Sequence, residues 1–354
     1  MMPTMLRRRA AAALALACWA PLIPRAGAAE AGASDERVLA ANRPSAQLLG
    51  LDAHDLYWAE AAGRKGAEAT EKLLRVSRQG GAPETLAEFR SGVIWPVGFA
   101  ATERAIYVAD VDDSDPASGR IVAISKAKPH RITPVVASAR GLDRFLVTGD
   151  RVFWVQSEDV TALWSARLDG TGPRQIWTVP SGTHVMALAP RGRDILVSLR
   201  TFGDSSELVL VPMNSGPAKD LWTASGDLKD AAMTGDDVVV CSGNGLVRVH
   251  GEQGIRLFAS CTGDLRIWHG WRLEFEDAGD AQVDSLYATK LAAPSGKRTL
   301  VSKCASGYSV HTVLPADDGI YFCRRAGADH CSIVHVPGPP ATDARCGDAH
   351  GGHD

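Results

Sequence analysis

The run Leu56-Tyr57-Trp58-Ala59-Glu60 decides the fold, because it recurs along the chain. Clear copies of this run are Ile106-Tyr107-Val108-Ala109-Asp110, Val152-Phe153-Trp154-Val155-Gln156 and Ile320-Tyr321-Phe322-Cys323-Arg324. Weaker copies start at Ile195, Val238 and Arg272, so that successive starts lie 34 to 50 residues apart. A repeat of about 40–50 residues built from strand-like segments is typical of a β-propeller.

Each repeat contains more than one strand. A polar turn such as Asp52-Ala53-His54-Asp55 precedes the run, and an apolar strand precedes that turn. A hairpin, an alternating strand such as residues 121–124, a Gly-rich turn and a last strand follow it. Glycine, Asn and Asp stand where turns need positive φ, so the pattern predicts four antiparallel strands per unit.

Two stretches carry a family resemblance. Residues 74–87, with Gly80-Gly81-Ala82-Pro83, and residues 166–177, with Asp169-Gly170-Thr171-Gly172-Pro173, are similar to repeats of TolB-like propellers and related bacterial surface propellers. The resemblance covers residues 36–340, and it concerns turn and core residues. It therefore implies the architecture and says little about activity.

The sequence thus predicts an all-β chain forming one β-propeller domain over residues 30–340, with a tail at 341–354. Seven blades are preferred, and six or eight stay open because the units near 227–260 and 263–303 match least well. Residues 36–41 resemble the outer strand of a blade, and the last unit ends at Pro337-Gly338-Pro339-Pro340, which cannot extend a ladder. We therefore expect residues 36–41 to supply the missing outer strand of the last blade and to close the ring.

The N-terminus has the pattern of an export signal. Arg7-Arg8-Arg9 precede an apolar stretch from Ala10 to Trp19, and Ala26-Gly27-Ala28-Ala29 offer a small-residue cleavage site. Pro21, Pro24 and Arg25 make the apolar stretch too short for a membrane span. We expect a signal peptide over residues 1–29 and a periplasmic or extracellular protein. Lipidation at Cys18 is the minority alternative.

Six cysteines remain after Cys18, which suggests disulfides in an oxidising compartment. Cys323 and Cys331 flank one hairpin and can face each other. Cys346 on the tail can reach Cys304, which leaves Cys241 and Cys261. No Cys-x-x-Cys spacing supports a thiolate metal site.

Bulk composition narrows the partners. The formal net charge is −3, and the first 29 residues hold four arginines and no acid. No basic footprint for nucleic acid is present. We expect no nucleic-acid partner, no transmembrane segment and a monomer.

Familiar catalytic spacings are absent: the sequence has no Gly-x-Ser-x-Gly, no His-Glu-x-x-His and no phosphate-binding loop. Propellers bind ligands at the mouth of the central channel, where first strands and their preceding loops converge. The polar and aromatic residues predicted there are Trp95, Arg144, His184, Lys229, Asp230, Arg266, Trp268, His269 and His311.

These residues could form a ligand-binding funnel, or they could simply line a wet channel. Three histidines from separate blades could hold a metal, but the inward carboxylates of a lactonase-like site are few. The acidic run at Asp110, Asp112, Asp113 and Asp115 lacks the features of an EF-hand and is interpreted as a solvated loop.

The leading prediction is therefore an exported, non-catalytic propeller that binds an envelope protein or a small ligand, without cofactor or metal. The alternative is a propeller hydrolase or lyase acting in the central funnel.

Overall fold

The computed structural model describes residues 36–44, 46–65, 68–90, 92–112, 115–201, 205–226, 228–234, 236–242, 245–258, 266–269, 271–276, 285–292, 299–303, 313–325 and 330–337. The signal segment, His311, Cys261, Cys304, Cys346 and the tail lie outside these residues. Within the described ranges the regular structure is entirely β-strand.

Twenty-eight strands are found in the described part of the chain. They are β1 (Arg37–Pro44), β2 (Gln47–Leu51), β3 (Asp55–Lys65), β4 (Glu68–Ser77), β5 (Glu84–Arg90), β6 (Gly92–Ala101), β7 (Ala105–Asp112), β8 (Asp115–Ser125), β9 (Ile132–Val136), β10 (Leu142–Thr148), β11 (Arg151–Ser157), β12 (Thr161–Arg167), β13 (Arg174–Thr178), β14 (Thr183–Arg191), β15 (Asp194–Thr201), β16 (Ser205–Pro212), β17 (Lys219–Ser225), β18 (Leu228–Thr234), β19 (Asp237–Ser242), β20 (Gly245–His250), β21 (Gln253–Phe258), β22 (Arg266–Trp268), β23 (Trp271–Glu276), β24 (Ser285–Lys290), β25 (Thr299–Lys303), β26 (Val313–Ala316), β27 (Gly319–Arg325) and β28 (His330–Val336).

The strands assemble into seven four-stranded sheets, as far as the described residues show. The first six sheets are β2–β5, β6–β9, β10–β13, β14–β17, β18–β21 and β22–β25, each in chain order. The seventh has the order β1-β28-β27-β26. All pairings are antiparallel. The predicted all-β propeller of four-stranded units is confirmed.

The first strands of the sheets line up next to one another. Contacts run from β2 to β6, β10, β14, β18, β22 and β26 in turn, and β26 contacts β2. In the seventh sheet the outer strand comes from the N-terminus, since Arg37 pairs with His335 and Pro44 with His330. The expected pairing of residues 36–41 with the last unit is therefore observed.

Apolar side chains fill the spaces between neighbouring sheets. Tyr57 and Leu73 of the first sheet pack with Phe99 and Ile106 of the second. The seventh and first sheets share a cluster of their own, in which Tyr321 lies with Trp58. The aromatic runs that mark the repeat are thus core residues, and their burial stabilises the contact of each sheet with the next.

Two glycines let adjacent first strands approach closely. A Cβ atom at Gly50 would overlap the ring of Phe99, and one at Gly98 would overlap the ring of Phe145. Each ring belongs to the next sheet along the chain. Glycine is therefore required at both positions because the neighbouring aromatic ring occupies the space of a side chain.

Candidate functional site

The seven sheets share one end at which their first strands begin and their second strands finish. Four antiparallel strands return the chain to its starting side, so every first strand enters from the same side. We call this the mouth end, and the opposite end, with the turns between first and second strands, the far end.

A repeated irregularity shapes the mouth end. In β10 a register shift lies between Leu142 and Arg144, and in β18 one lies between Leu228 and Asp230. The strand β14 has a shift between Val185 and Ala187. An extra residue in one strand bends it and redirects nearby side chains, and such bulges are common at binding sites.

The shifts bring three predicted residues to one level of the ring. Arg144 pairs with Val155 and Asp230 with Cys241, and each partner is the fourth residue of its aromatic run. Trp95 pairs with Ala109, which is also a fourth residue. Ala187 occupies the corresponding position on the first strand between those of Arg144 and Asp230.

Arg144 is 7% exposed, and its Nε donates a hydrogen bond to the backbone oxygen of Val185, at 3.1 Å. The side chain therefore reaches from the third sheet to the fourth. The described part of the molecule contains no carboxylate in an ion pair with Arg144. A buried cation without a counter-charge costs stability, which marks Arg144 as a functional candidate.

Asp230 is 1% exposed, and one of its carboxylate oxygens accepts a hydrogen bond from the Ala231 amide at 2.7 Å. His184 is exposed and pairs with Arg200, two residues nearer the mouth than the layer of Arg144 and Asp230. Lys229 is the extra residue in the β18 bulge. Together these positions put an imidazole, a carboxylate and a guanidinium on three consecutive first strands.

Trp268 and His269 do not lie at the mouth end. Trp268 pairs with Trp271, so the turn between β22 and β23 falls at His269, which places both residues at the far end. The His269 Nε2 atom is 3.9 Å from a carboxylate oxygen of Asp317, in the corresponding turn of the seventh sheet. Arg266 pairs with Leu273, two positions before the turn.

Ser198 is a further residue at the same level, and the sequence did not single it out. It pairs with Ala187, is 1% exposed, and its Oγ has no hydrogen-bond partner in the described structure. Buried hydroxyls in proteins normally have a partner, so each exception needs an explanation. The region around Arg144 therefore contains two buried polar side chains without full partners among the described residues: Arg144, which has no paired carboxylate, and Ser198, which has no hydrogen bond.

Two other acids are buried at the mouth end, and both are paired. The Glu60 carboxylate accepts hydrogen bonds from Arg43 Nε at 2.9 Å, Arg43 Nη2 at 2.6 Å and Trp58 Nε1 at 3.1 Å. Asp110 pairs with Arg120, whose Nε donates a hydrogen bond to the Asp110 Oδ2 atom at 2.6 Å. Asp110 is thereby occupied by a cation. The calcium loop that the acidic run could have formed gains no support, while Asp113 lies outside the described residues.

The third sheet differs from the first two at this point. Gln156 occupies the position of Glu60 and Asp110, and its side-chain oxygen accepts a hydrogen bond from Trp154 Nε1 at 3.0 Å. The tryptophan contact is thus the same as that of Glu60, but the negative charge is missing. The third sheet therefore has no negative charge at this position.

The far end carries two similar charged groups of three residues, each joining neighbouring sheets. In one, the Tyr57 hydroxyl donates to Asp52 at 2.6 Å, and Lys126 of the second sheet pairs with Asp52. Burial by itself raises the pKa of Asp52, but hydrogen bonds from Lys126 and Tyr57 outweigh it and lower that pKa to about 2. Burial together with the Asp52 charge raises the pKa of Tyr57.

The second group joins the seventh sheet to the first. The Tyr321 hydroxyl donates to Asp318 at 2.7 Å, and Arg78 Nε donates to that hydroxyl at 3.1 Å. Arg78 also pairs with Asp318. Burial raises the pKa of Tyr321 to about 12. In both groups a charged pair crosses from one sheet to the next, so these residues help to hold neighbouring sheets together.

His335 lies beside the second group. Its ring stacks on Tyr321 with centroids 4.5 Å apart, and its Nε2 is 3.2 Å from the Asp318 backbone oxygen. Burial lowers the pKa of His335, Asp318 opposes this, and the charges of Arg37 and Arg78 add to the lowering. The imidazole is therefore neutral at pH 7.

One predicted disulfide is observed. Cys323 and Cys331 are bonded across the β27–β28 hairpin with Cα atoms 5.7 Å apart. Cys241 is also disulfide-bonded, and Cys261, Cys304 and Cys346 lie outside the described residues. The described side chains include no cluster of three His, Cys, Asp or Glu residues that could hold a metal ion. The described residues also contain no helix that could cross a membrane.

No protein-family model matches the sequence, and no curated protein matches it significantly. Solved structures do match. A puromycin hydrolase aligns with 83% of this chain at 14% identity and a TM-score of 0.56, and an acylaminoacyl peptidase from Pyrococcus horikoshii aligns with 83% at 13% identity and 0.55. The AfRom2 CNH domain aligns with 85% at 9% identity and 0.55.

The coverage of the matched chains differs. This chain spans half the length of the puromycin hydrolase and of the peptidase, and 98% of the CNH domain. At these identities the likeness shows the β-propeller fold alone. The leading prediction, a non-catalytic binding protein, is nevertheless contradicted, because enzymes stand among the matching structures. The alternative, a hydrolase or lyase, agrees better with them.

Proposed function

We propose that this chain is a propeller hydrolase or lyase whose chemistry takes place at the mouth end, between the third and fifth sheets. The observation that carries the proposal is the placement of His184, Asp230 and Arg144 on three consecutive first strands, with the last two side chains buried. Both reaction classes depend on positioned proton transfer, which contributes about 10²–10⁴-fold to the rate.

The roles follow from exposure and charge. His184 is exposed, so it can meet a substrate, and imidazole is the side chain that most often serves as a general acid or base. Asp230 is held by the Ala231 amide at 2.7 Å and supplies a fixed negative charge that stabilises a cation forming beside it. Arg144 supplies a fixed positive charge that can hold a negatively charged group of the substrate. The charged groups at the far end are already paired with one another.

The hydrolases that match are twice the length of the aligned region, so their activities do not transfer to this chain. The proposal depends on the residues of the mouth end. We also propose that the protein is exported and belongs with TolB-like propellers. The Cys323–Cys331 bridge fits an oxidising compartment, and mass spectrometry of the native N-terminus should find a start near Glu30.

The test is a screen of the purified protein against esters, lactones, amides and uronate-containing oligosaccharides, followed by His184→Gln on any substrate found. We expect kcat to fall at least 100-fold. The matched control is His54→Gln, a histidine in an exposed far-end turn, which should keep full activity. Turnover that His184→Gln and Asp230→Asn both leave intact would exclude the mouth end as the active site.

A further inference from the structure

The charge balance around Arg144 suggests what the site accepts. Arg144 is 7% exposed and forms no ion pair within the described ranges, whereas Arg43 and Arg120 at the same end each hold a carboxylate. A protein gains nothing from burying a lone cation unless a ligand supplies the opposite charge. The absence of a paired carboxylate among the described residues therefore points to an anionic ligand.

The hydrogen bonding of the guanidinium supports this. Nε is used by the Val185 backbone oxygen at 3.1 Å, which fixes the plane of the group against β14. Among the described residues, neither terminal nitrogen has a hydrogen-bond partner, so both remain available to a ligand. An arginine held in this way presents two parallel donors, the arrangement that matches a carboxylate or phosphate.

The neighbouring positions carry neutral or small side chains. Gln156 brings a neutral amide where the first two sheets have Glu60 and Asp110, and Ala187 is a small residue at the same level on the next first strand. No acid in the described ranges is bonded to Arg144, whose one side-chain hydrogen bond there is to the Val185 backbone oxygen. The guanidinium is therefore held in place without a paired carboxylate among the residues that the structure describes.

We propose that Arg144 is the specificity residue of the mouth-end site and that it binds a substrate through a carboxylate or phosphate group. This rests on the proposed function, because it names the substrate class of the same site. The anionic group sits on the terminal nitrogens of Arg144, and the remainder of the substrate extends toward His184 on β14. Neutral analogues lack the charge that the buried guanidinium requires and are rejected.

Binding can be measured without knowing the substrate. The probe is inorganic phosphate, titrated into the full chain at constant ionic strength with chloride as balance, and read out by tryptophan fluorescence and melting temperature. A second titration compares glucuronate with glucose, which differ in a carboxylate. We expect phosphate and glucuronate to bind and glucose not to bind.

Two variants and a control decide the assignment. Arg144→Gln should weaken phosphate binding at least tenfold, and Arg144→Lys should retain part of it, because lysine keeps the charge but loses the paired donors. The control is Arg140→Gln, a nearby arginine whose side chain is 65% exposed. If Arg144→Gln and wild type bind phosphate equally, the proposal is overturned.

The outcome also separates this inference from the proposed function. Anion binding that depends on Arg144, in a protein that turns over no substrate, supports the anion site and refutes the enzyme. Turnover of a substrate whose KM is unchanged in Arg144→Gln supports the enzyme and refutes the anion site.

Discussion

Replacing Glu60 with glutamine should destabilise the junction between the seventh and first sheets at the mouth end. Glu60 lies in β3 of the first sheet, and its partner Arg43 lies in β1 of the seventh. The carboxylate is 7% exposed and accepts three hydrogen bonds, two of them from the same guanidinium. Glutamine removes the negative charge and leaves Arg43 unpaired.

The size of the effect follows from burial. Removing one partner of a fully buried ion pair costs about 3–5 kcal/mol. The Arg43 side chain is 24% exposed, so water partly compensates its charge, and we expect a loss of about 2–3 kcal/mol. With an unfolding entropy near 2.1 cal/mol/K per residue over roughly 300 residues, this lowers Tm by about 3–5 °C.

Differential scanning calorimetry measures the change, and Glu88→Gln is the matched control. Glu88 pairs with Lys72 at 3.1 Å, but its side chain is 55% exposed, so its pair contributes at most about 1 kcal/mol. A double-mutant cycle with Arg43→Met should show coupling above about 1 kcal/mol. A Glu60→Gln protein that melts within 1 °C of wild type, with no coupling, would refute the reasoning.

Three more predictions concern the junction between the ends of the chain. Acidification from pH 7 to pH 5 should destabilise the wild type more than His335→Gln. Burial lowers the pKa of His335, so below the ordinary histidine pKa of 6.5 the unfolded chain binds more protons than the folded chain, and the folded state loses stability as the pH falls. If the urea midpoints of the two proteins fall equally between pH 7 and pH 5, this reasoning is wrong. A chain starting at Ser45 lacks β1, which leaves the edge of β28 exposed. It should melt at least 10 °C lower in calorimetry or associate through that edge in light scattering. A shortened protein that stays monomeric with an unchanged Tm would contradict the prediction. Peptide mapping of unreduced protein should link Cys323 to Cys331. Because the loop that they close is short, reduction should lower the free energy of unfolding by only about 2–3 kcal/mol. Free thiols at both positions would show that the disulfide is absent.

Much of the fold could be predicted from the sequence because its signal is local and repeated. The runs at Leu56, Ile106, Val152 and Ile320 are the buried second strands of their sheets, and a buried two-sided strand must be apolar along its length. The pairing of β1 with β28 was predictable for a related reason, since the last unit lacked one strand and the N-terminus supplied one.

The site was only partly predictable. Arg144 and Asp230 were identified because they stand at the start of first strands, and their level is set by bulges that no sequence pattern announced. Trp268 and His269 were expected at the mouth end but lie at the far end. The strand β22 has only three residues, so these two already lie at the turn between β22 and β23. The Arg43–Glu60 pair joins two sheets through packing, and sequence spacing carries no trace of such contacts.

The most direct test of the central claim is a crystal structure of Asp230→Asn with a slowly reacting anionic substrate bound. The account predicts that the anionic group lies within hydrogen-bond distance of the terminal nitrogens of Arg144, with the reacting atom beside His184. A substrate bound instead at the far end, next to Asp52 or Asp318, would contradict it.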